Sequence, residues 1–239
     1  MRVIIGILFI VTLNHAVWAR VSGHQDHSSA SIQRGAKLFI NYCSGCHSLN
    51  YLTYNRLATD AGIVNTQGRI DKKMLQNLMF NTTKVQSPIH ANLTAGDAKK
   101  WFGISPPDLS LIALIRDKTW IYNYLNSFYQ DETQPFGVNN RQYPGTLMPH
   151  VLEPLFGLYE LSQEKSAPTM QIRIHPGSLS ASEQKRFLDD LLRFLSYVAE
   201  PEKKTRMRIG IFVVIYFLTL FLILFKLKQI IWRKITAKK

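Results

Sequence analysis

The chain has 239 residues, with 29 Lys plus Arg against 16 Asp plus Glu, 46% hydrophobic residues and two cysteines. That hydrophobic content beside 19% charged residues excludes a disordered chain, and two cysteines exclude a disulfide scaffold. A net charge of +13 suggests nucleic acid or a membrane surface, and its distribution separates the two. Residues 21–199 carry 17 basic and 14 acidic side chains, whereas residues 200–239 carry 10 basic and 2 acidic ones. A nucleic-acid-binding domain places its basic patch on the folded body, so no nucleic-acid partner is expected.

The N-terminus reads as a secretory signal peptide over 1–19. Arg2 precedes an apolar run over 3–13, and Ala16-Val17-Trp18-Ala19 ends in a small residue before the expected cut. A helix capped by Ser31 follows, with Ile32, Ala36, Phe39, Ile40 and Cys43 at helical spacing. It leads into Cys43-Ser44-Gly45-Cys46-His47. C-x-x-C-H is the attachment signature of a c-type haem. Two thiols three residues apart on one turn can reach two vinyl groups on one porphyrin edge, and His47 then projects its imidazole toward the iron. A thiol–disulfide site would need a preceding strand in a βαβ pattern, and a zinc site two more ligands; neither context is evident.

A second axial ligand must come from a later Met or His. Met74 and Met79 lie on an apolar helical stripe that suits core packing. Met170 and Met207 lack local framing, His24 and His27 sit in a polar leader, and His90, His150 and His175 are open candidates. Met148 stands in Tyr143-Pro144-Gly145-Thr146-Leu147-Met148-Pro149, a stiff loop with prolines on both sides, and His150 is its main rival.

Residues 119–129 place Ile121, Tyr124, Leu125 and Phe128 on one helical face. A helix over 180–199 opens on the capping box Ser180-Ala181-Ser182-Glu183 and buries Phe187, Leu191, Phe194, Leu195 and Val198 before Pro201 ends it. Long loops are expected over 130–149 and 162–177. Residues 209–225 are 17 uncharged positions flanked by Arg206, Arg208, Lys226 and Lys228. At about 1.5 Å per residue they span roughly 25 Å, close to a bilayer core. The expected organisation is a signal peptide (1–19), an exported body (20–205), a transmembrane anchor (206–228) and a basic cytoplasmic tail (229–239).

The chain resembles the cytochrome c1 family, particularly its proteobacterial branch, over nearly its whole mature length. The resemblance is carried by Arg34-Gly35-Ala36, Asn41-Tyr42 with the haem motif and Ser48-Leu49, Trp101-Phe102-Gly103, Pro106-Pro107-Asp108-Leu109-Ser110, Met148-Pro149-His150-Val151-Leu152 and Tyr197-Val198-Ala199-Glu200-Pro201-Glu202. It implies a mainly α, cytochrome c-like haem domain with long loops, plus one C-terminal transmembrane helix. It further implies one haem c bound through Cys43 and Cys46, with His47 and Met148 as axial ligands, Arg116 pairing with a propionate and Pro107 in the pocket wall.

The implied role is one-electron transfer from the Rieske iron–sulfur protein to cytochrome c, beside cytochrome b, within a dimeric ubiquinol–cytochrome c reductase. Such a subunit is no enzyme on its own. It sits in the bacterial inner membrane, with the haem domain in the periplasm. The alternative is a tethered c-type cytochrome serving an oxidase or another pathway. Thr146-Leu147 and Asn81-Thr82-Thr83-Lys84 match the family loosely. With no third cysteine, the loop before Met148 must owe its rigidity to prolines and packing. Asp131-Glu132, Glu160 and Glu164 are the acidic groups that suggest a docking patch.

Overall fold

A computed structural model of the chain describes residues 28–79, 82–161 and 171–237. The expected signal peptide, His24, His27, Glu164 and Met170 lie outside the described residues. Two compact units are present, Met1–Ala199 and Glu200–Lys239. The first contains α1 (Ser29–Tyr42), β1 (Leu49–Thr53), α2 (Tyr54–Asp60), α3 (Lys72–Gln76), β2 (Pro88–Ile89), α4 (Ala95–Phe102), α5 (Ile112–Ile115) and α6 (Lys118–Leu125). It continues with β3 (Phe128–Gln130), β4 (Val138–Asn140), α7 (Glu153–Phe156), β5 (Gly157–Leu161), β6 (Gln171–Pro176) and α8 (Ala181–Ala199). The second unit contains α9 (Lys203–Thr236).

Polar caps set the helix starts. Thr53, Asp71, Thr94 and Asp117 each accept the amide three residues on, supplying a partner to an otherwise free donor. Helix α1 begins earlier than its sequence suggests. Ser28, not Ser31, is the cap, its Oγ accepting the Ser31 amide at 3.3 Å, while Ser31 itself is buried in the first turn. At α8 the capping box forms through Glu183, whose Oε2 accepts both the amide and the hydroxyl of Ser180, at 2.8 and 2.6 Å. Helix α6 stops at Leu125, so Phe128 belongs to a strand rather than to the expected helical face.

Packing of α1 on α8 forms the largest interhelical interface. Gly35 makes it possible, because a Cβ there would strike the Asp190 carbonyl and the Phe194 Cβ. The Phe39 and Phe194 rings lie 5.8 Å apart, and Tyr42 meets Phe187 edge-on at 5.5 Å. Arg34 grips Asp190 through two parallel hydrogen bonds of 2.7 and 2.8 Å. All five expected core positions of α8 are buried, joined by Leu188, Leu192 and Tyr197. The Tyr197 hydroxyl donates to Asp60 at 2.7 Å and so fastens the end of α2.

Among the described residues the strands form three two-stranded antiparallel ribbons, β1–β2, β3–β4 and β5–β6, of which β1–β2 joins segments far apart in the chain. Strands β4 and β6 fall in segments expected to be loops. In β6 the described side chains of residues 172–176 are all exposed, so no buried alternation marks it as a strand. In β4, Asn139 and Asn140 are residues depleted from strands.

Helix α9 runs 34 residues, with a window of mean hydropathy 2.6 and none of that window buried. At 1.5 Å per residue it is roughly 51 Å long, beyond the ~30 Å hydrocarbon core. It therefore continues through Arg233 and Lys234, into the segment expected as a tail; these cations suit its C-terminal dipole. The fold is thus a mainly α domain with one C-terminal helix able to span a membrane.

Gly35→Ala is expected to cost about 1–3 kcal/mol by overpacking, read as a lower denaturant midpoint. The Ser180 bonds hold the Glu183 carboxylate below its ordinary value of 4.5. Its contribution is therefore full above the unfolded-state value and fades as pH falls through the lower folded-state value. Glu183→Gln should flatten that part of the acid-unfolding profile, below about pH 4.5.

Candidate functional site

Helix α1 delivers Cys43 at its end, where the Cys43 and Ser44 amides both donate to the Phe39 carbonyl, at 2.8 and 3.0 Å. The next turn closes on the Cys43 carbonyl, which accepts the Cys46 and His47 amides at 3.1 and 2.8 Å. Buried Ser44 donates its hydroxyl back to the Ile40 carbonyl at 2.7 Å. Backbone hydrogen bonds, with the Ser44 hydroxyl, therefore set how the two thiols and the imidazole follow one another.

The Pro106–Ser110 strip forms a second wall. The Pro107 carbonyl is 2.8 Å from His47 Nδ1, which assigns the ring proton to Nδ1 and leaves Nε2 with its lone pair. The strip is stitched to the chain that follows the motif. Leu109 donates to the Ser48 carbonyl at 2.9 Å, and the Tyr51 amide to Ser110 Oγ at 3.1 Å. Asp108 accepts the Asn50 and Ser110 amides, each at 2.9 Å. Burial lowers the His47 pKa from 6.5 against the opposing pull of the Pro107 bond and the Asp108 charge, so the ring is neutral at pH 7.

A third wall comes from α5 and α6. The Arg116 guanidinium lies 4.7 Å over the Trp120 ring, which stacks on Tyr124 at 5.3 Å and 6°. The loop after β4 supplies Met148. The walls surround a cavity of about 460 Å³, within the ordinary ~300–1,000 Å³ of ligand sites. Cys43, Cys46, His47, Pro107, Arg116 and Met148 all line it, with Phe39, Leu191 and Leu195 of the α1–α8 core.

The other candidate axial ligands go elsewhere. His150 is outside the cavity lining; it stacks on Phe128 at 4.8 Å, with its Nε2 3.2 Å from the Gly157 carbonyl, and burial pushes its pKa down to about 4. Met74 is 51% exposed, Met79 packs against the core, and Met207 lies on α9. His90 and His175 do not line the cavity.

Burial pushes the Cys43 thiol up to about 12, with Cys46 adding to the effect, and raises Cys46 as well. Thiol–disulfide sites need the opposite, a thiol lowered toward neutrality. Among the described residues no three His, Cys, Asp or Glu side chains gather as a metal-binding set, so the zinc reading finds no ligands there. An apolar cavity offering two neutral thiols, a neutral imidazole, a thioether and one guanidinium suits an iron macrocycle with acidic edge groups.

Four residues of this region carry no functional assignment from the sequence: Asn139, Asn140, Thr146 and Tyr124 in its contact with Thr146. The Tyr124 hydroxyl lies 2.7 Å from Thr146 Oγ1. The one available signal was the Asn-Asn pair ahead of Pro144-Gly145, since asparagine side chains readily bond to nearby loop backbone. Among the acidic candidates for docking, Asp131 accepts from Thr133 and Asn139, which holds its carboxyl below the usual range, and Glu160 is exposed on β5.

A family model described as the Cytochrome C1 family matches residues 18–235. Cytochrome c1 of Allochromatium vinosum is 43% identical over 213 residues, covering 86% of this chain and 85% of that protein. The ammonia monooxygenase gamma subunit of Nitrosomonas europaea is 35% identical over 205 residues, covering 86% and 83%. Cytochrome c1 of Rhodospirillum rubrum is 25% identical over 237 residues, covering 91% and 86%.

Asp108→Ala leaves the Asn50 and Ser110 amides without their acceptor. An expected loss of about 0.5–1.5 kcal/mol would appear in denaturant unfolding, with Asp108→Asn losing less because one oxygen remains.

Proposed function

The chain belongs to the cytochrome c1 family, and on that premise we propose that it carries one haem c, joined by two thioethers, as the electron-transfer subunit of a bc1 complex. The observation that carries the proposal is the gathering of Cys43, Cys46, His47 and Met148 around one largely apolar cavity. Cys43 and Cys46 hold the macrocycle through its vinyl groups. His47, its Nδ1 proton committed to the Pro107 carbonyl, offers Nε2 to the iron. Met148 would hold the iron with His47, and Arg116, supported on Trp120, would offer a positive charge to a propionate.

When bound, the haem supplies an iron centre that takes up and returns one electron without bonding a substrate. The protein's part would be to hold the iron with His47 and Met148, to exclude water with Phe39, Leu191 and Leu195, and to raise the potential through a thioether rather than a second imidazole. No side chain acts as a general acid or base. The chain works within its complex, not as an enzyme alone.

In this reading the electron comes from the Rieske iron–sulfur protein and leaves to cytochrome c, beside cytochrome b in a dimeric complex. Helix α9 anchors the domain in a bacterial inner membrane and raises its effective concentration near those partners. After removal of 1–19, residues 20–205 face the periplasm and 229–239 the cytoplasm. Six basic residues and no acid over 226–239 support that orientation. The likeness to an ammonia monooxygenase gamma subunit favours a second reading, a tethered cytochrome serving another pathway; isolation with cytochrome b and a Rieske protein decides against it.

The full chain, produced with c-type haem maturation, should stain for haem on a denaturing gel, and Cys43→Ser with Cys46→Ser should abolish the stain. Met148→Leu should lower the reduction potential and let carbon monoxide bind the reduced form. An unchanged potential and ligation would remove Met148 from the iron.

A further inference from the structure

The backbone amides of the loop that presents Met148 are held largely by two asparagine side chains. Between β4 and Met148, Tyr143 is 53% exposed and Gly145 has φ +75°, a left-handed conformation that suits glycine. Pro144 has no amide hydrogen. Every other amide from residue 142 to 145 ends on an asparagine side chain. The Gln142 and Tyr143 amides donate to Asn140 Oδ1 at 2.9 and 3.1 Å, and the Gly145 amide donates to Asn139 Oδ1 at 2.8 Å.

The two asparagines are themselves tied down. Asn140 is fully buried; its Nδ2 donates to the Tyr124 carbonyl at the end of α6, at 2.7 Å, and its Oδ1 also accepts the Ser127 hydroxyl at 3.1 Å. Asn139 Nδ2 donates to Asp131 at 2.9 Å, and its Oδ1 accepts the Asn140 amide at 2.8 Å. Beyond them, buried Thr146 meets the Tyr124 hydroxyl at 2.7 Å and accepts the Met148 amide at 3.4 Å. Tyr124 therefore touches the clamp at both ends, by its carbonyl and by its hydroxyl.

We infer that Asn139 and Asn140 are positioning residues for Met148: their amides brace the loop of a chain that has no third cysteine to do so. The inference rests on the proposal that Met148 is an iron ligand. A ligand competes for the sixth position in proportion to the fraction of time its loop is in the competent conformation. Ordering several loop residues is entropically costly, and the clamp meets that cost before the ligand binds. Replacing an asparagine by alanine strands two or three amides or hydroxyls that now have an acceptor, and the loop opens.

The test uses the full, haem-loaded chain in detergent, in its ferric form, with free imidazole as the competing ligand. Asn140→Ala and Asn139→Ala should each raise imidazole affinity roughly tenfold and weaken the sulfur-to-iron charge-transfer band. Asn140→Asp keeps an oxygen for the Gln142 and Tyr143 amides and should lie between the parent and Asn140→Ala. Tyr197→Phe, which removes a hydroxyl bonded to Asp60 of α2 rather than to the loop, should leave imidazole affinity and the band at parental values. Parental values in both alanine variants, or an equal rise in Tyr197→Phe, overturn the inference. If Asn140→Ala fails to accumulate, Asn139→Ala decides alone. Met148→Leu separates the two levels: loss of its band with unaltered asparagine variants sinks only the clamp, whereas a retained band sinks the ligand assignment and the clamp together.

Discussion

The backbone contact between α1 and α8 at Gly35 is the constraint on which the site depends. Helix α1 is only 14 residues long and ends directly in the haem motif, so its direction decides where Cys43, Cys46 and His47 lie. Any side chain at Gly35 would push α1 off the Asp190 carbonyl and carry the motif with it. The same interface supplies part of the cavity. Phe39, Leu191 and Leu195 are buried core residues and also line its wall. Burying such a side chain contributes about 1.5–3 kcal/mol, so the interactions that hold the domain together also hold the site in shape.

The two sides of the cavity are secured by different kinds of atom. On the His47 side the decisive groups belong largely to the backbone: the Cys43 carbonyl closing the turn, the Pro107 carbonyl on Nδ1, and the Leu109 amide on the Ser48 carbonyl. Such groups survive most substitutions. On the Met148 side the loop amides end on side chains, Asn139 and Asn140, backed by Thr146 and Tyr124. These bonds disappear with single substitutions. Under the proposed ligation, the imidazole side is conformationally insulated, and the thioether side is where sequence change would adjust ligation and, with it, potential.

The features most legible in the sequence were those whose physics imposes a spacing. Two thiols and an imidazole serving one macrocycle must be close in the chain, and the α8 core residues had to recur at helical period because one face is buried. Met148 could be singled out only by the stiffness of its surroundings, since a thioether looks alike in a core and on a metal. The β5–β6 ribbon left no trace because it buries no described residue of β6. The bracing expected from prolines and packing is joined by a set of side-chain bonds to the loop amides. The asparagine clamp was hidden because side-chain-to-backbone bonds follow local geometry rather than a period. At the start of α1 the expected cap, Ser31, lies inside the helix, because the packed helix extends a turn earlier, to Ser28.

Charge makes sense only once it is divided between the two units. Residues 200–239 hold 10 of the 29 basic side chains and only 2 acids, and α9 carries most of these cations toward its ends. Between those ends lies an apolar stretch with no buried residue, which needs a nonaqueous surrounding. In the proposed orientation the cations at the far end stay with the cytoplasmic headgroups, and their charge contributes to topology. Little of the net charge falls on the haem domain. That domain, with 17 basic and 14 acidic residues over 21–199, presents no strong field of one sign. In the proposed role, its choice of electron partners would therefore rest on local groups rather than on the net charge of +13.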